Sequence, residues 1–107
     1  MTAQHATWCV EYRNVGRRAP LSTTEWAVTE RQAAETWFAS LRRCGSIPKF
    51  PRPGVRFRFH VRHQKVRGWF KVFDMYVDRN NEVFADLVEE GPPRKGARVH
   101  EPIEQYA

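Results

Sequence analysis

A chain of 107 residues is enough for one domain and too short for two. Its 41% hydrophobic and 13% aromatic content, with four Trp, supplies a real core and argues against disorder throughout. No apolar run approaches the ~20 residues that a membrane helix needs, so no membrane association is expected. The net charge of +6 comes from eighteen Lys and Arg against twelve Asp and Glu. Fourteen of those cations are Arg, whose planar fork suits phosphate and carboxylate, so the expected partner is nucleic acid (DNA or RNA) or an acidic protein surface.

Two cysteines, Cys9 and Cys44, make no disulfide framework. Residues 1–8 lack the apolar core of a secretory signal. Both features lead to the expectation of a cytoplasmic protein with reduced thiols.

Residues 7–13 alternate, with Trp8, Val10 and Tyr12 on one face and Cys9, Glu11 and Arg13 on the other, which predicts a first strand. Residues 14–23, with Asn14, Gly16, Pro20 and the pair Arg17 and Arg18, read as a loop. Residues 24–28 read as a short second strand, the hairpin partner of the first. Thr29-Glu30-Arg31-Gln32 is a capping box. The stripe Ala34, Trp37, Phe38, Leu41, Cys44 then follows at helical spacing, with Arg42 and Arg43 in the last turn and Gly45 as the stop. This predicts a helix over 30–44 with Trp37 and Phe38 as core anchors and Cys44 as a small buried hydrophobe.

Residues 46–54 carry three prolines and read as a rigid crossover. Residues 55–63 alternate strictly between apolar and basic: Val55, Phe57, Phe59 and Val61 against Arg56, Arg58, His60 and Arg62. Residues 64–68 read as a hairpin loop, 69–78 as a fourth strand, 79–81 as a tight turn and 82–89 as a fifth strand. Residues 1–6 and everything from 91 on read as irregular terminal segments. The expectation is a single α+β domain, one helix packed on a mainly antiparallel sheet of about five strands, in the order β-β-α-β-β-β.

Register can be tested by requiring a continuous apolar face. Pairing His63 with Trp69 sets Val61 against Lys71, Phe59 against Phe73, Phe57 against Met75 and Val55 against Val77. Pairing Asp78 with Glu82 sets Val77 against Val83, Met75 against Ala85 and Phe73 against Leu87. The opposite face then carries the rows Arg56–Tyr76–Phe84, Arg58–Asp74–Asp86, His60–Val72–Val88 and Arg62–Phe70–Glu90. It is too apolar for an ordinary solvated face and too charged for a core, which marks an interaction surface.

Arginines beside aromatics on a sheet are the ingredients of nucleic-acid binding. The candidate binding residues are Arg56, Arg58, His60, Arg62, Phe70, Tyr76 and Phe84, extended by Arg17 and Arg18. The leading expectation is a small non-enzymatic nucleic-acid-binding protein. The alternative is a phage- or mobile-element-type accessory protein that binds and inhibits a host protein complex, as anti-defence (anti-CRISPR-like) inhibitors do, with a homodimer possible. The first two strands and the capped helix with its Ala34-Glu35-Thr36-Trp37-Phe38 stripe resemble in layout small DNA-binding domains of the integrase arm type, which usually place three strands before the helix where two are read here. No catalytic motif is present, and no metal or other cofactor is expected. His60 and His63 point to opposite faces of a strand and do not chelate one metal. Asp74 and Asp86 are more simply ion-pair partners of Arg58 than an acid–base pair.

Overall fold

The computed structural model describes residues 4–13, 20–66 and 68–91. Arg17, Arg18 and the tail beyond Gly91 lie outside the described residues. The elements are β1 (Ala6–Tyr12), β2 (Leu21–Ala27), α1 (Glu30–Cys44), β3 (Phe57–His63), β4 (Phe70–Val77) and β5 (Val83–Gly91). The five strands form one antiparallel sheet in the order β2-β1-β3-β4-β5, and α1 packs on it. Because β1 is antiparallel to both β2 and β3, those two run in the same direction with β1 between them. Their connection must therefore cross a sheet face, and α1 makes that crossing.

Local chemistry sets the ends of α1. Thr29 Oγ1 accepts from the Gln32 amide (3.0 Å), and Gln32 Oε1 accepts from the Val28 amide (2.7 Å). Gly45 closes the helix at φ 89°, the left-handed conformation that favours glycine. The helix buries Ala33, Ala34, Trp37, Phe38 and Leu41 against Trp8, Val10, Tyr12, Phe59, Val61, Phe73 and Met75. Cys44 departs from the expectation: it is exposed, because the helix ends there and the chain turns back to bury Ile47, whose amide donates to Leu41 O (3.2 Å). Arg42 fixes this end by donating to Lys49 O (2.6 Å) and Asn81 Oδ1 (2.8 Å). At the other end, buried Glu30 accepts from Trp69 Nε1 (2.9 Å) and lies 3.6 Å from Lys71 Nζ. Lys71, the one polar side chain in the expected core row, is thus paired rather than merely reaching for water.

The strands depart from the expected boundaries most at the starts of β2 and β3, and Ala6 and Gly91, expected in irregular segments, belong to β1 and β5. β2 begins at Leu21, so it pairs along the whole of β1. β3 begins at Phe57, because Arg52-Pro53-Gly54-Val55 forms a turn closed by Val55 N→Arg52 O (3.2 Å), with Gly54 at φ 85°. Gly54 N, not Val55, then meets Val77 O (3.0 Å), and Val55 is exposed. The pairing of β3 with β4 runs as expected from Phe57↔Met75 to Arg62↔Phe70. That of β4 with β5 runs as expected from Val77↔Val83 to Phe73↔Leu87. A bulge then inserts Val88, and Val72 faces Glu89 while Phe70 faces Gly91. The expected rows ending in Val88 and Glu90 are corrected by this one residue.

Candidate functional site

The sheet face away from α1 can now be assembled from register. Arg62 lies between Cys9 and Phe70, His60 between Glu11 and Val72, and Arg58 beside Asp74 and Asp86. Arg56 precedes the strand but still covers the Tyr76 ring at 4.2 Å, and Tyr76 stacks on Phe84 at 5.5 Å. The expected rows therefore come together, apart from the bulge.

Their charges are largely satisfied within the face. Arg58 grips Asp74 with two bonds (2.9 and 3.2 Å), Arg56 reaches Asp86 (2.9 Å), and Arg13 reaches Glu11 (3.0 Å). Asp74 is only 8% exposed and Val72 only 2%, so the long side chains cover the middle of the face. Four cations (Arg13, Arg56, Arg58, Arg62) stand there against four anions (Glu11, Asp74, Asp86, Glu89). Arg62 alone of the four has neither a hydrogen bond nor an ion pair among the described residues. Over all described residues, twelve Lys and Arg meet ten Asp and Glu, so most of the excess charge of +6 lies elsewhere in the chain.

Beside Arg62 the face dips into a depression of about 760 Å³, lined by Cys9, Glu11, His60, Arg62, Lys65 and Phe70 among others. The loop after β3 walls it. His63 Nδ1 holds that loop by accepting from the Lys65 amide (3.0 Å) and the Val66 amide (3.1 Å), while its ring meets Trp8 edge-on at 4.9 Å. Burial lowers the proton affinity of both His60 and His63. For His60, Arg13 and Arg58 add to that effect, and Glu11 and Glu89 oppose it. For His63, Glu30 opposes it and Lys65 adds to it. Each imidazole binds a proton less readily folded than unfolded, so its contribution to stability is fully present above about pH 6.5 and is lost as pH falls through the folded value. Melting temperature should therefore fall between pH 7 and pH 5.5. A His63→Gln protein should show less of that fall, and the amides of Lys65 and Val66 should exchange faster as wild type is acidified. A melting temperature flat across this range would contradict this reading.

The register sets His60 on the open face and His63 on the helix face. Among the described residues no three His, Cys, Asp or Glu side chains converge as a metal-holding group. The proton affinity of the exposed Cys44 thiol is lowered, mainly by hydrogen bonding to Ser46, and Cys9 is half-buried.

A second surface was not legible in the sequence. β5 is an edge strand, and Val83, Phe84, Leu87 and Val88 on it are between 39% and 46% exposed. Register alone assigned Val83 and Leu87 to the core, but α1 lies over the other strands and scarcely reaches β5. Asp78 N→Glu82 O (3.0 Å) closes the β4–β5 hairpin, with Asn81 at φ 65° in the turn. By antiparallel alternation, Val83, Ala85 and Leu87 then direct their backbone polar groups away from β4. Arg31 from α1 donates to one of these, Ala85 O (2.6 Å).

No helix among the described residues is long and apolar enough to cross a membrane. Comparison with protein-family models, with curated proteins and with solved structures found no match.

Proposed function

We propose that this chain is a non-catalytic protein-binding module that docks a partner's extended segment along the outer edge of β5. The observation that carries this reading is an edge strand with exposed apolar side chains on both faces. Soluble proteins usually blunt such an edge, because its open backbone groups and apolar flanks template pairing with another chain. Among the described residues only the Arg31 contact at Ala85 O covers it, and an incoming strand displaces that contact or starts beside it. The partner strand supplies apolar side chains to meet Val83 and Leu87 on one face and Phe84 on the other. It also supplies basic residues, because Glu89 and Glu90 are exposed at the far end of β5. That is the opposite sign from the acidic partner surface expected from composition.

A second copy is the poorer occupant, since two-fold pairing centred on Ala85 would set Glu89 and Glu90 of one copy against Asn81 and Asn80 of the other, which offer these carboxylates no cation. An inhibitor that acts by occupying a strand edge of a larger host complex fits this mode. Nucleic-acid binding across the whole open face is the weaker reading, because Arg56 and Arg58 are already held by Asp86 and Asp74.

The test begins with cross-linked capture from source-cell extract, followed by titration of the purified partner with hydrogen exchange as the readout. Protection of the Val83, Ala85 and Leu87 amides supports the proposal. Protection confined to β2 or to the 64–68 loop overturns it. So does tight, salt-steep binding of DNA or RNA that disappears when Arg56 and Arg58 are both replaced by Ala.

A further inference from the structure

We infer that the depression beside Arg62 is a nucleotide site, with a phosphate held between Arg62 and Lys65 and a base lying on Phe70. The inference rests on a contrast within one sheet face, independent of the β5 edge. Arg13, Arg56 and Arg58 each lie within 3.0 Å of a carboxylate oxygen. Arg62 has no such partner among the described residues, and neither does Lys65, yet both line the same hollow. The carboxylate that lines it, Glu11, is taken by Arg13. Two uncompensated cations therefore face one cavity whose acid is neutralised, an arrangement that attracts a doubly charged anion and gives it an Arg fork.

The aromatic half of the site is held in place. Phe70 pairs with Gly91, and its ring lies where a Cβ on residue 91 would have to sit. The glycine thus lets the ring rest against β5, half-buried with the depression beside it. His63 Nδ1 anchors the Lys65 amide and so holds the backbone that carries this side chain beside the depression. A volume of about 760 Å³ falls in the range of small-ligand sites and accommodates a nucleoside monophosphate. Base stacking on an aromatic side chain tolerates any base, so the chemistry specifies a nucleotide and not its identity. The same chemistry is offered by a free nucleotide and by the phosphorylated end of a single strand.

The test is an amide-resolved NMR titration of the intact chain with adenosine monophosphate, adenosine, inorganic phosphate and a short 5′-phosphorylated oligothymidylate. Adenosine monophosphate should shift Arg62, Lys65 and Phe70, and should bind at least about 10-fold more tightly than phosphate or adenosine alone, since each lacks one of the two contacts. Arg62→Ala should weaken that binding about 10-fold or more at unchanged melting temperature, while Arg58→Ala, which takes the bidentate partner from buried Asp74 and so lowers the melting temperature, changes the binding less than about 2-fold. Oligonucleotide binding tighter than that of the mononucleotide makes the ligand a strand end, and equal binding makes it a free nucleotide; either outcome supports the site. Phosphate binding as tightly as adenosine monophosphate, equal losses in the Arg58 and Arg62 variants, or no shifts at millimolar ligand would each overturn it.

Discussion

Phe59→Ala should remove about 3–5 kcal/mol of stability, the largest loss expected from any single truncation here. Phe59 is 0% exposed and sits on β3, the central strand of the sheet. Its ring meets Tyr12 at 5.2 Å in a stacked arrangement and both Trp37 and Phe38 at 5.8 Å edge-on. Those three partners come from β1 and α1, which are themselves held by caps and strand pairing. The cavity therefore cannot close by local collapse, and the cost of the void adds to the lost transfer energy. A domain of this size has roughly 5–15 kcal/mol in total, so the variant should melt roughly 15–30 °C lower. Phe57, half-buried at the first rung of the β3 ladder, should cost about half as much or less on the same substitution, because water already reaches it. Urea denaturation of both variants measures this directly. A Phe59→Ala loss under about 1 kcal/mol would place the centre of the core elsewhere.

What could be read from the sequence followed the range of the interactions involved. The boundaries of α1 are written in Thr29, Gln32 and Gly45, which act on neighbouring backbone, and the helix stands at 30–44 as expected. Period-two alternation identified the pairing of Phe59 with Phe73 and of Met75 with Ala85, because a slip of one residue would have turned every side chain over. The register failed at Val88, where a bulge adds one residue to a run whose alternation gives no sign of it. Val55 failed for a related reason. Its apolar side chain continues the pattern of the strand, but Pro53-Gly54 commits its backbone to a turn.

Long-range geometry was less legible. Alternation cannot tell a central strand from an edge strand, and it cannot show that one helix is too narrow to cover five strands. That is why Val83 and Leu87 read as core. The arginines mislead in a similar way. Composition counts them as free cations, while in the fold Arg31 and Arg42 brace backbone carbonyls and Arg56 and Arg58 lock carboxylates. The pairing of Arg58 with Asp74 was foreseen from the shared row. That of Arg56 with Asp86 was not, because it runs diagonally across the Tyr76 ring. Only after these pairs are set aside does Arg62 separate from its neighbours.

The β5 reading makes the second large prediction. A double variant, Val83→Lys with Leu87→Lys, should fold as wild type does and lose its partner. Both side chains are close to half exposed, so their replacement should change stability by about 0.5 kcal/mol or less each. At an interface they would count very differently. Buried apolar anchors commonly contribute about 2 kcal/mol each when truncated, and two together correspond to roughly a thousandfold in affinity. The added cations also oppose the basic residues expected on the partner strand. Arg56→Ala supplies the contrast. It removes a charge from the open face and the cover over Tyr76, but leaves the edge of β5 intact, so binding should fall far less than in the Lys pair. Calorimetric titration of the captured partner against wild type and both variants, with melting curves alongside, separates these outcomes. Equal losses in the two variants would move the contact from the strand edge to the open face. Retention of binding by the Lys pair at wild-type stability would remove β5 as the docking site.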